Sequence, residues 1–150
     1  MAVFIASDHR GFAQKEDLFL GLKSAGIEAE DLGPDHYDNN DDFNDAAISV
    51  CKKVLENPEE NRGILICGTA HGVAMQANRF KGIRAIVAFN PELAFLGRQH
   101  EDANVLCLSA DFTSREDNAE IIKTFLNTAK LTDERYTRRN RRLDEDKELN

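Results

Sequence analysis

The fold of this chain is indicated most clearly by residues 63–72, which read GILICGTAHG. Three aliphatic residues and a cysteine follow Gly63, and a second glycine ends the run at Gly68. A short apolar run bounded by glycines is typical of a buried strand, whereas the spacing from there to about Phe80 is helical. The stretch therefore predicts a strand over residues 63–67, a loop, and then a helix.

The same alternation of strand and helix extends in both directions from this stretch. The predicted strands cover residues 2–6, 27–32, 63–67, 84–88 and 104–108. The other predicted helices cover residues 12–25, 46–55 with Asp45 as N-cap, 91–100, 116–129, and a polar, charged 132–147. Five short apolar strands separated by helices predict an α/β fold: a Rossmann-like, doubly wound parallel sheet with helices on both faces and a C-terminal helix.

Length and composition describe one acidic domain over residues 1–150. Hydrophobic residues make up 41% of the chain and charged residues 31%, which argues against a disordered or fibrous protein. The formal net charge of −8 disfavours nucleic acid as a partner, because phosphate binding needs a basic surface. No apolar run approaches the ~18 residues of a membrane helix. Three widely spaced cysteines and the absence of a signal pattern at the N-terminus favour the cytoplasm.

In doubly wound folds, ligands bind at the carboxyl ends of the strands, so polar residues there are candidates for chemistry. Asp8 and His9 follow the first strand and could offer an acceptor and a proton donor to a sugar hydroxyl. Alternatively, Asp8 only caps the next helix. Cys67 ends the third strand and could be a base or nucleophile, or simply a small buried hydrophobe. Gly68 and Gly72 after it would let backbone N–H groups approach an anion.

The C-terminal third adds two candidate features. His100, near a helix end, could be a proton shuttle. Arg135 and Arg139 are four residues apart and could grip one phosphate from a shared helix face, although a solvated helix with paired charges explains them equally well. No metal site is expected, because no H-E-x-x-H or similar ligand spacing occurs. The loop over residues 67–72 matches neither a Walker A sequence nor G-x-G-x-x-G. The sequence therefore gives little support to the hypothesis that the chain binds a flavin or a nucleotide.

Taken in order, the motifs of the chain resemble those of the ribose-5-phosphate isomerase B family, which includes the galactose-6-phosphate isomerase subunits. They are SDHRGF at 7–12, DFND at 42–45, GILICGT at 63–69, Gly72, AN at 77–78, GIRA at 82–85 and HEDANVL at 100–106. The resemblance covers nearly the whole chain. It implies a metal-free and cofactor-free aldose–ketose isomerase of phosphorylated sugars, with ribose 5-phosphate and ribulose 5-phosphate as default substrates. It also implies a homodimer or dimer of dimers with active sites between subunits.

The resemblance further implies roles for individual residues. Cys67 would be the base that moves a proton between C1 and C2 through a cis-enediolate, whose oxygens the backbone N–H groups of residues 68–72 would hold. Thr69, Asp8 and His100 match positions linked to ring opening, with His100 coming from the neighbouring subunit. His9, Arg135 and Arg139 match phosphate contacts. The complete predicted substrate-binding set is Asp8, His9, Gly68, Thr69, Ala70, His71, Gly72, Glu101, Arg135 and Arg139.

Several positions depart from the family's pattern. Glu101 stands where asparagine is usual, and Asp111 stands where the family has its first phosphate arginine. A carboxylate beside a phosphate is unfavourable unless a cation compensates, and the candidate cations are Arg10, Arg138 and His71. The other departures are Ala70 for glycine, His71 for an aliphatic residue or asparagine, Phe43 and Asn44 for tyrosine and proline, and Tyr136 for histidine. These changes keep open an alternative function, a non-catalytic or divergent member that binds a sugar or sugar phosphate.

Overall fold

The computed structural model describes residues 1–145. Within them lie five strands: Val3–Ser7 (β1), Ala29–Asp31 (β2), Arg62–Cys67 (β3), Ala85–Val87 (β4) and Val105–Ser109 (β5). The same residues contain six helices: Phe12–Ser24 (α1), Phe43–Leu55 (α2), His71–Ala77 (α3), Pro91–Glu101 (α4), Arg115–Asn127 (α5) and Glu134–Asp144 (α6). No helix in this part of the chain is long and apolar enough to cross a membrane.

The strands form one parallel sheet in the order β2-β1-β3-β5-β4. Leu65 lies opposite Ala6 of β1 on one side and opposite Cys107 of β5 on the other. Because successive side chains of a strand point to opposite faces, these apolar strands present two apolar faces. Helices α2 and α3 cover one face, and α1, α4 and α5 cover the other. The structure thus confirms the predicted Rossmann-like, doubly wound α/β fold.

The two cores are built from strand residues that are fully withdrawn from solvent. Ile64 and Ile66 pack on the side of α5, against Phe125, whereas Leu65 packs on the side of α2, against Val50. Each of these side chains contributes about 1.5–3 kcal/mol through the hydrophobic effect. The central strands are therefore a rigid base from which the loops at their ends project.

The order of strand addition reverses at β1, because β2 is added on one side of it and β3 on the other. Ligands of open α/β sheets bind outside the carboxyl ends of the strands at such a reversal. We call this edge the carboxyl end of the sheet, and the edge where the strands begin its amino end. Asp8 follows β1 and Cys67 ends β3, so both lie at the carboxyl end.

Two predicted helix boundaries are wrong. The N-cap of α2 is Asp42 rather than Asp45, which lies inside the first turn, because the helix starts early enough to place the Phe43 ring against Gly72. Helix α3 ends at Ala77 rather than near Phe80. Asn78 is the C-cap: its N–H still donates to the C=O of Ala74 at 3.0 Å, while its side-chain amide accepts from the Ala85 N–H at 2.8 Å and donates to the Ala85 C=O at 2.9 Å.

The final helix is shorter than the predicted 132–147. It begins at Glu134 and ends at Asp144, whose carboxylate accepts from Gly82 N–H at 3.1 Å and from Arg84 Nη1 at 3.1 Å. Glu145 is already extended, and residues 146 and 147 lie outside the described part of the chain. The contacts of Asp144 hold the end of α6 near the start of β4.

Candidate active site

The first group of predicted site residues is assembled at the carboxyl end of the sheet. Asp8 is buried, and its Oδ1 accepts from the backbone N–H groups of Arg10 at 2.9 Å and Gly11 at 3.2 Å. This carboxylate therefore does stabilise the entry into α1, as the structural alternative predicts. Its Oδ2 has no hydrogen-bond partner among residues 1–145, so one oxygen stays available to a ligand. Burial raises the pKa of Asp8 above its ordinary value, because it disfavours the charged form.

His9 is oriented by a residue that sequence reasoning missed. Asp41 Oδ1 lies 2.7 Å from His9 Nδ1 and also accepts from the His9 backbone N–H at 3.0 Å. The Tyr37 ring packs edge-on against the imidazole, with 6.3 Å between the ring centroids. With Nδ1 donating to Asp41, Nε2 is the nitrogen left to meet a ligand. The only sequence signal for Asp41 is its place in an acidic loop, which does not identify the partner of His9.

The loop after β3 presents backbone N–H groups beside the Cys67 thiol. Cys67 is only 5% exposed, and its C=O accepts from Ala110 N–H at 2.9 Å, which fixes the strand end. Ala70 adopts a left-handed conformation with φ of 69°, which explains why glycine would be favoured there. Thr69 Oγ1 accepts from the backbone N–H of His71 at 3.4 Å. The N–H group of Thr69, an exposed residue, donates to no acceptor within residues 1–145 and is available to a substrate oxygen, whereas Ala70 is fully buried.

The charge of Asp111 is compensated within the same group. Arg10 Nη2 donates to Asp111 Oδ2, and the pair crosses the backbone of Gly68, next to Cys67. A Cβ atom at Gly68 would lie 2.7 Å from Arg10 Nε, so a larger residue there would displace the side chains of this pair. Of the three candidate cations, Arg10 is therefore the one that pairs with Asp111, and this pair raises the pKa of Arg10.

The second group of predicted residues lies around the end of α4 and the start of α6. The ring of His100 stacks on the ring of Tyr136, with 4.8 Å between centroids and 12° between planes. The guanidinium carbon of Arg135 lies 5.0 Å from the centroid of the same Tyr136 ring. Glu101 and Arg139 are exposed nearby on α4 and α6. As predicted, Arg135 and Arg139 occupy one face of a helix.

The two groups lie at opposite ends of the sheet in a single chain. Lys130 Nζ contacts Glu59 Oε2 at 2.9 Å and Asp102 Oδ2 at 3.1 Å, which places the end of α4 beside the loop that precedes β3. Cys67 lies at the other end of β3, about 17 Å away along a six-residue strand. The structure therefore does not bring His100 to Cys67 within one chain.

The other two cysteines are packing residues. Cys51 and Cys107 are fully buried, and burial raises the pKa of Cys51 to about 12 and that of Cys107 well above its ordinary value. Across residues 1–145, no group of three or more histidine, cysteine or acidic side chains is arranged to hold a metal ion. A cavity of about 750 Å³ lies between α1 and α5 and contains none of the predicted site residues.

Comparison with known proteins agrees with the motifs and with the fold. A family model described as Ribose/Galactose Isomerase matches residues 3–144. A probable ribose-5-phosphate isomerase B from Mycoplasma genitalium is 45% identical over 124 residues, which are 83% of this chain and 82% of that protein. Ribose-5-phosphate isomerase B from Escherichia coli is 40% identical over 77% of this chain and 74% of its own length.

Solved structures give the same result. A crystal structure of the Mycoplasma genitalium ribose-5-phosphate isomerase B with bound ribulose-5-phosphate aligns with a TM-score of 0.91 and 42% identity, covering 95% of this chain and 93% of that one. The Thermotoga maritima ribose 5-phosphate isomerase aligns with a TM-score of 0.90 and 39% identity, covering 95% and 97%. Because these relatives are named as isomerases, the non-catalytic alternative is not favoured. The chain therefore belongs to the ribose/galactose isomerase family and is an aldose–ketose isomerase.

Proposed function

We propose that this chain interconverts ribose 5-phosphate and ribulose 5-phosphate by proton transfer through a cis-enediolate. The observation that carries the proposal is the position of Cys67, in a chain of this family. Cys67 ends β3, the neighbour of the strand that Asp8 follows, and the loop after it carries the unpaired N–H of Thr69. A base next to hydrogen-bond donors is the arrangement that removal of a proton from carbon requires.

The proton moves between the first two carbons of the open-chain sugar. Cys67 removes the proton from C2 of the aldose as a thiolate, and the electron pair of the C–H bond forms the C1–C2 double bond. The charge moves onto O1, where backbone N–H groups of residues 68–72 stabilise it. The thiol then returns its proton to C1, the hydroxyl proton of O2 is transferred to O1, and O2 becomes the carbonyl of the ketose. No electron acceptor is consumed, because one carbon is oxidised and its neighbour is reduced.

Ring opening precedes this step and uses the remaining polar residues. Asp8 Oδ2 accepts the proton of the C1 hydroxyl, and burial makes this carboxylate a stronger base, while the Thr69 hydroxyl bonds to the sugar. His100 supplies a proton to the ring oxygen as the C1–O bond breaks. His9, Arg135 and Arg139 bind the phosphate, with guanidinium groups suited to a phosphate dianion.

A complete site needs a second copy of the chain. His100, Glu101, Arg135 and Arg139 lie at the amino end of the sheet, whereas Cys67 and Asp8 lie at the carboxyl end. A homodimer, or a dimer of dimers, that apposes these ends would build two identical sites across a two-fold axis. The separation within one chain supports this shared site and argues against a monomeric enzyme.

The proposed compartment is the cytoplasm. Cys51, Cys67 and Cys107 are all free thiols, and a reducing compartment keeps such thiols unpaired.

The test is a substrate panel. Purified protein is assayed at fixed concentration against ribose 5-phosphate and other pentose and hexose phosphates, with coupled detection of the ketose. We expect ribose 5-phosphate to give the highest kcat/KM. A higher kcat/KM with another phosphorylated sugar would overturn the assignment of ribose 5-phosphate as the substrate. If none of the sugars were turned over, the proposed activity itself would be overturned.

A further inference from the structure

The ring of Tyr136 is in contact with two residues to which the proposed function assigns different tasks. It stacks nearly parallel to His100, at 4.8 Å between centroids. Arg135 Nη2 donates to the Tyr136 hydroxyl at 3.0 Å, and the guanidinium carbon lies 5.0 Å from the centre of the same ring. One side chain therefore contacts both the imidazole that would act on the ring oxygen and a guanidinium that would bind the phosphate.

Hydrogen bonds hold the stack to the body of the protein. Asn140 Nδ2 donates to the backbone C=O of His100 at 3.0 Å. Just before α6, Leu131 N–H donates to the C=O of Gln99 at 2.9 Å. Helix α6 is thus attached to the end of α4 on both sides of Tyr136, and the rings meet because the two helices are joined there.

The spacing on α6 gives its two faces different tasks. Tyr136 and Asn140 are four residues apart and face α4, where both are partly buried. Arg135 and Arg139, also four residues apart, lie on the adjacent face and are exposed. A substrate can therefore reach the two guanidinium groups without disturbing the stack beneath them.

We propose that Tyr136 is a positioning residue that holds His100 and Arg135 at a fixed separation. The proposal rests on the proposed function, in which these two residues act on different parts of one sugar phosphate. The stack restricts rotation of the imidazole, and the hydroxyl restricts the guanidinium before substrate arrives. Binding then orders fewer side chains, and the proton of His100 lies where the ring oxygen will be.

Two substitutions separate the two contacts. Tyr136→Phe keeps the ring and removes the hydroxyl, so we expect KM for ribose 5-phosphate to rise about fivefold through a loosened Arg135, with kcat unchanged. Tyr136→Leu removes the ring, so kcat should also fall about tenfold or more, because misplacing a reacting group by about 1 Å is costly. A residue that only stabilised α6 would not split KM from kcat in this way.

A spectroscopic measurement tests the stack independently of activity. In wild-type protein, the C–H signals of the His100 ring should be shifted upfield by the Tyr136 ring and identified by their loss in His100→Gln. They should stay in place in Tyr136→Phe and move downfield in Tyr136→Leu. Leu143→Ala, an exposed change in the same helix, is the matched control and should leave both the signals and the kinetics unchanged.

The outcomes distinguish this proposal from the function on which it rests. Unshifted His100 signals in the wild type, or Tyr136→Leu with wild-type kcat and KM, overturn the positioning role even if the enzyme is active. A wild-type protein inactive on every sugar phosphate overturns the proposed function, while the His100 signals still decide whether the stack exists. If Tyr136→Leu fails to fold, the expected rise in KM without loss of kcat in Tyr136→Phe supports the proposal, and its absence overturns it.

Discussion

Arg10 and Asp111 form an ion pair that crosses the backbone of Gly68. Arg10 Nη2 donates to Asp111 Oδ2, although 101 positions separate the two residues in sequence. The pair neutralises a carboxylate at the carboxyl end of the sheet, next to Cys67. This compensation makes a negative residue at position 111 compatible with an anionic substrate.

Removing Arg10 should therefore weaken substrate binding, because the carboxylate of Asp111 would lose its partner and repel an anionic substrate. We expect Arg10→Ala to raise KM for ribose 5-phosphate about tenfold, since an unpaired charge then faces a phosphate or an enediolate. Adding Asp111→Asn to this variant should recover most of the loss. Arg115→Ala, which breaks the comparably exposed pair with Asp17, is the control and should have little effect. Steady-state kinetics that show equal losses in the single and double variants would contradict the compensation.

Cys67→Ala should abolish turnover and leave the fold intact. A positioned base contributes about 10²–10⁴-fold to rate, and alanine fits the space of a small buried thiol. Circular dichroism and binding of ribose 5-phosphate by calorimetry should resemble those of the wild type. Near-normal kcat would show that another group is the base.

Iodoacetamide offers a test without substitution. Cys51 and Cys107 are fully buried, and burial raises their pKa values, so neither should react in the folded protein. Any labelling that inactivates the enzyme should fall on Cys67, and ribose 5-phosphate should slow it. Mass spectrometry of digested protein locates the label, and labelling of Cys107 before unfolding would contradict its assignment as a packing residue.

The arginines of α6 should act on the phosphate rather than on the sugar. We expect Arg135→Ala or Arg139→Ala to raise KM for a phosphorylated sugar about tenfold or more, because each substitution removes a charge-assisted hydrogen bond to the phosphate. As a control, Arg141→Ala removes the same charge from the opposite face of the helix, where Arg141 donates to Glu134 Oε1 at 3.0 Å. Comparison with the unphosphorylated sugar is decisive, since equal effects on both forms would show a general surface-charge effect.

Asp8→Asn should stabilise the protein while reducing its activity. Burial raises the pKa of Asp8 above 3.8, so the folded state disfavours the ionised form, and the free energy of unfolding falls as the pH rises from 3.8 towards the raised value. Asparagine keeps an oxygen for the N–H groups of Arg10 and Gly11 without this cost. In urea unfolding, the variant should be more stable at pH 7, and the difference should vanish below about pH 3, where the carboxyl is protonated in both states. A less stable variant at pH 7 would show that the ionised form is favoured by the fold.

Mixing two inactive variants tests the shared site. If Cys67 and His100 meet only across subunits, a mixed dimer of Cys67→Ala and His100→Ala chains contains one intact site. Activity should reappear when the two proteins are unfolded together and refolded. Each protein refolded alone is the control, and inactive mixtures in which heterodimers have been demonstrated would contradict a shared site.

The elements of the fold were predictable because their signals are local. Apolar runs and glycines indicated all five strands, and helical spacing indicated the helices between them. The errors occurred where residues make contacts with distant parts of the chain: Asn78, the C-cap of α3, bonds through its side chain to Ala85, and Phe43, the first residue of α2, packs on Gly72. No local pattern contains those partners.

The candidate site shows the same contrast between local sequence signals and long-range contacts. Residue types and spacing were enough to indicate Asp8, His9 and Cys67 as a group, because the carboxyl ends of neighbouring parallel strands meet at one edge. Long-range packing set the rest: Asp41 beside His9, Arg10 paired with Asp111, and the stack of His100 on Tyr136. His100 lies at the opposite end of the sheet from Cys67 because a helix that returns between parallel strands ends where the next strand begins, so the predicted order of elements already implies this separation. The contacts set by packing join residues from distant parts of the chain, and neighbouring residues in the sequence do not encode which parts meet.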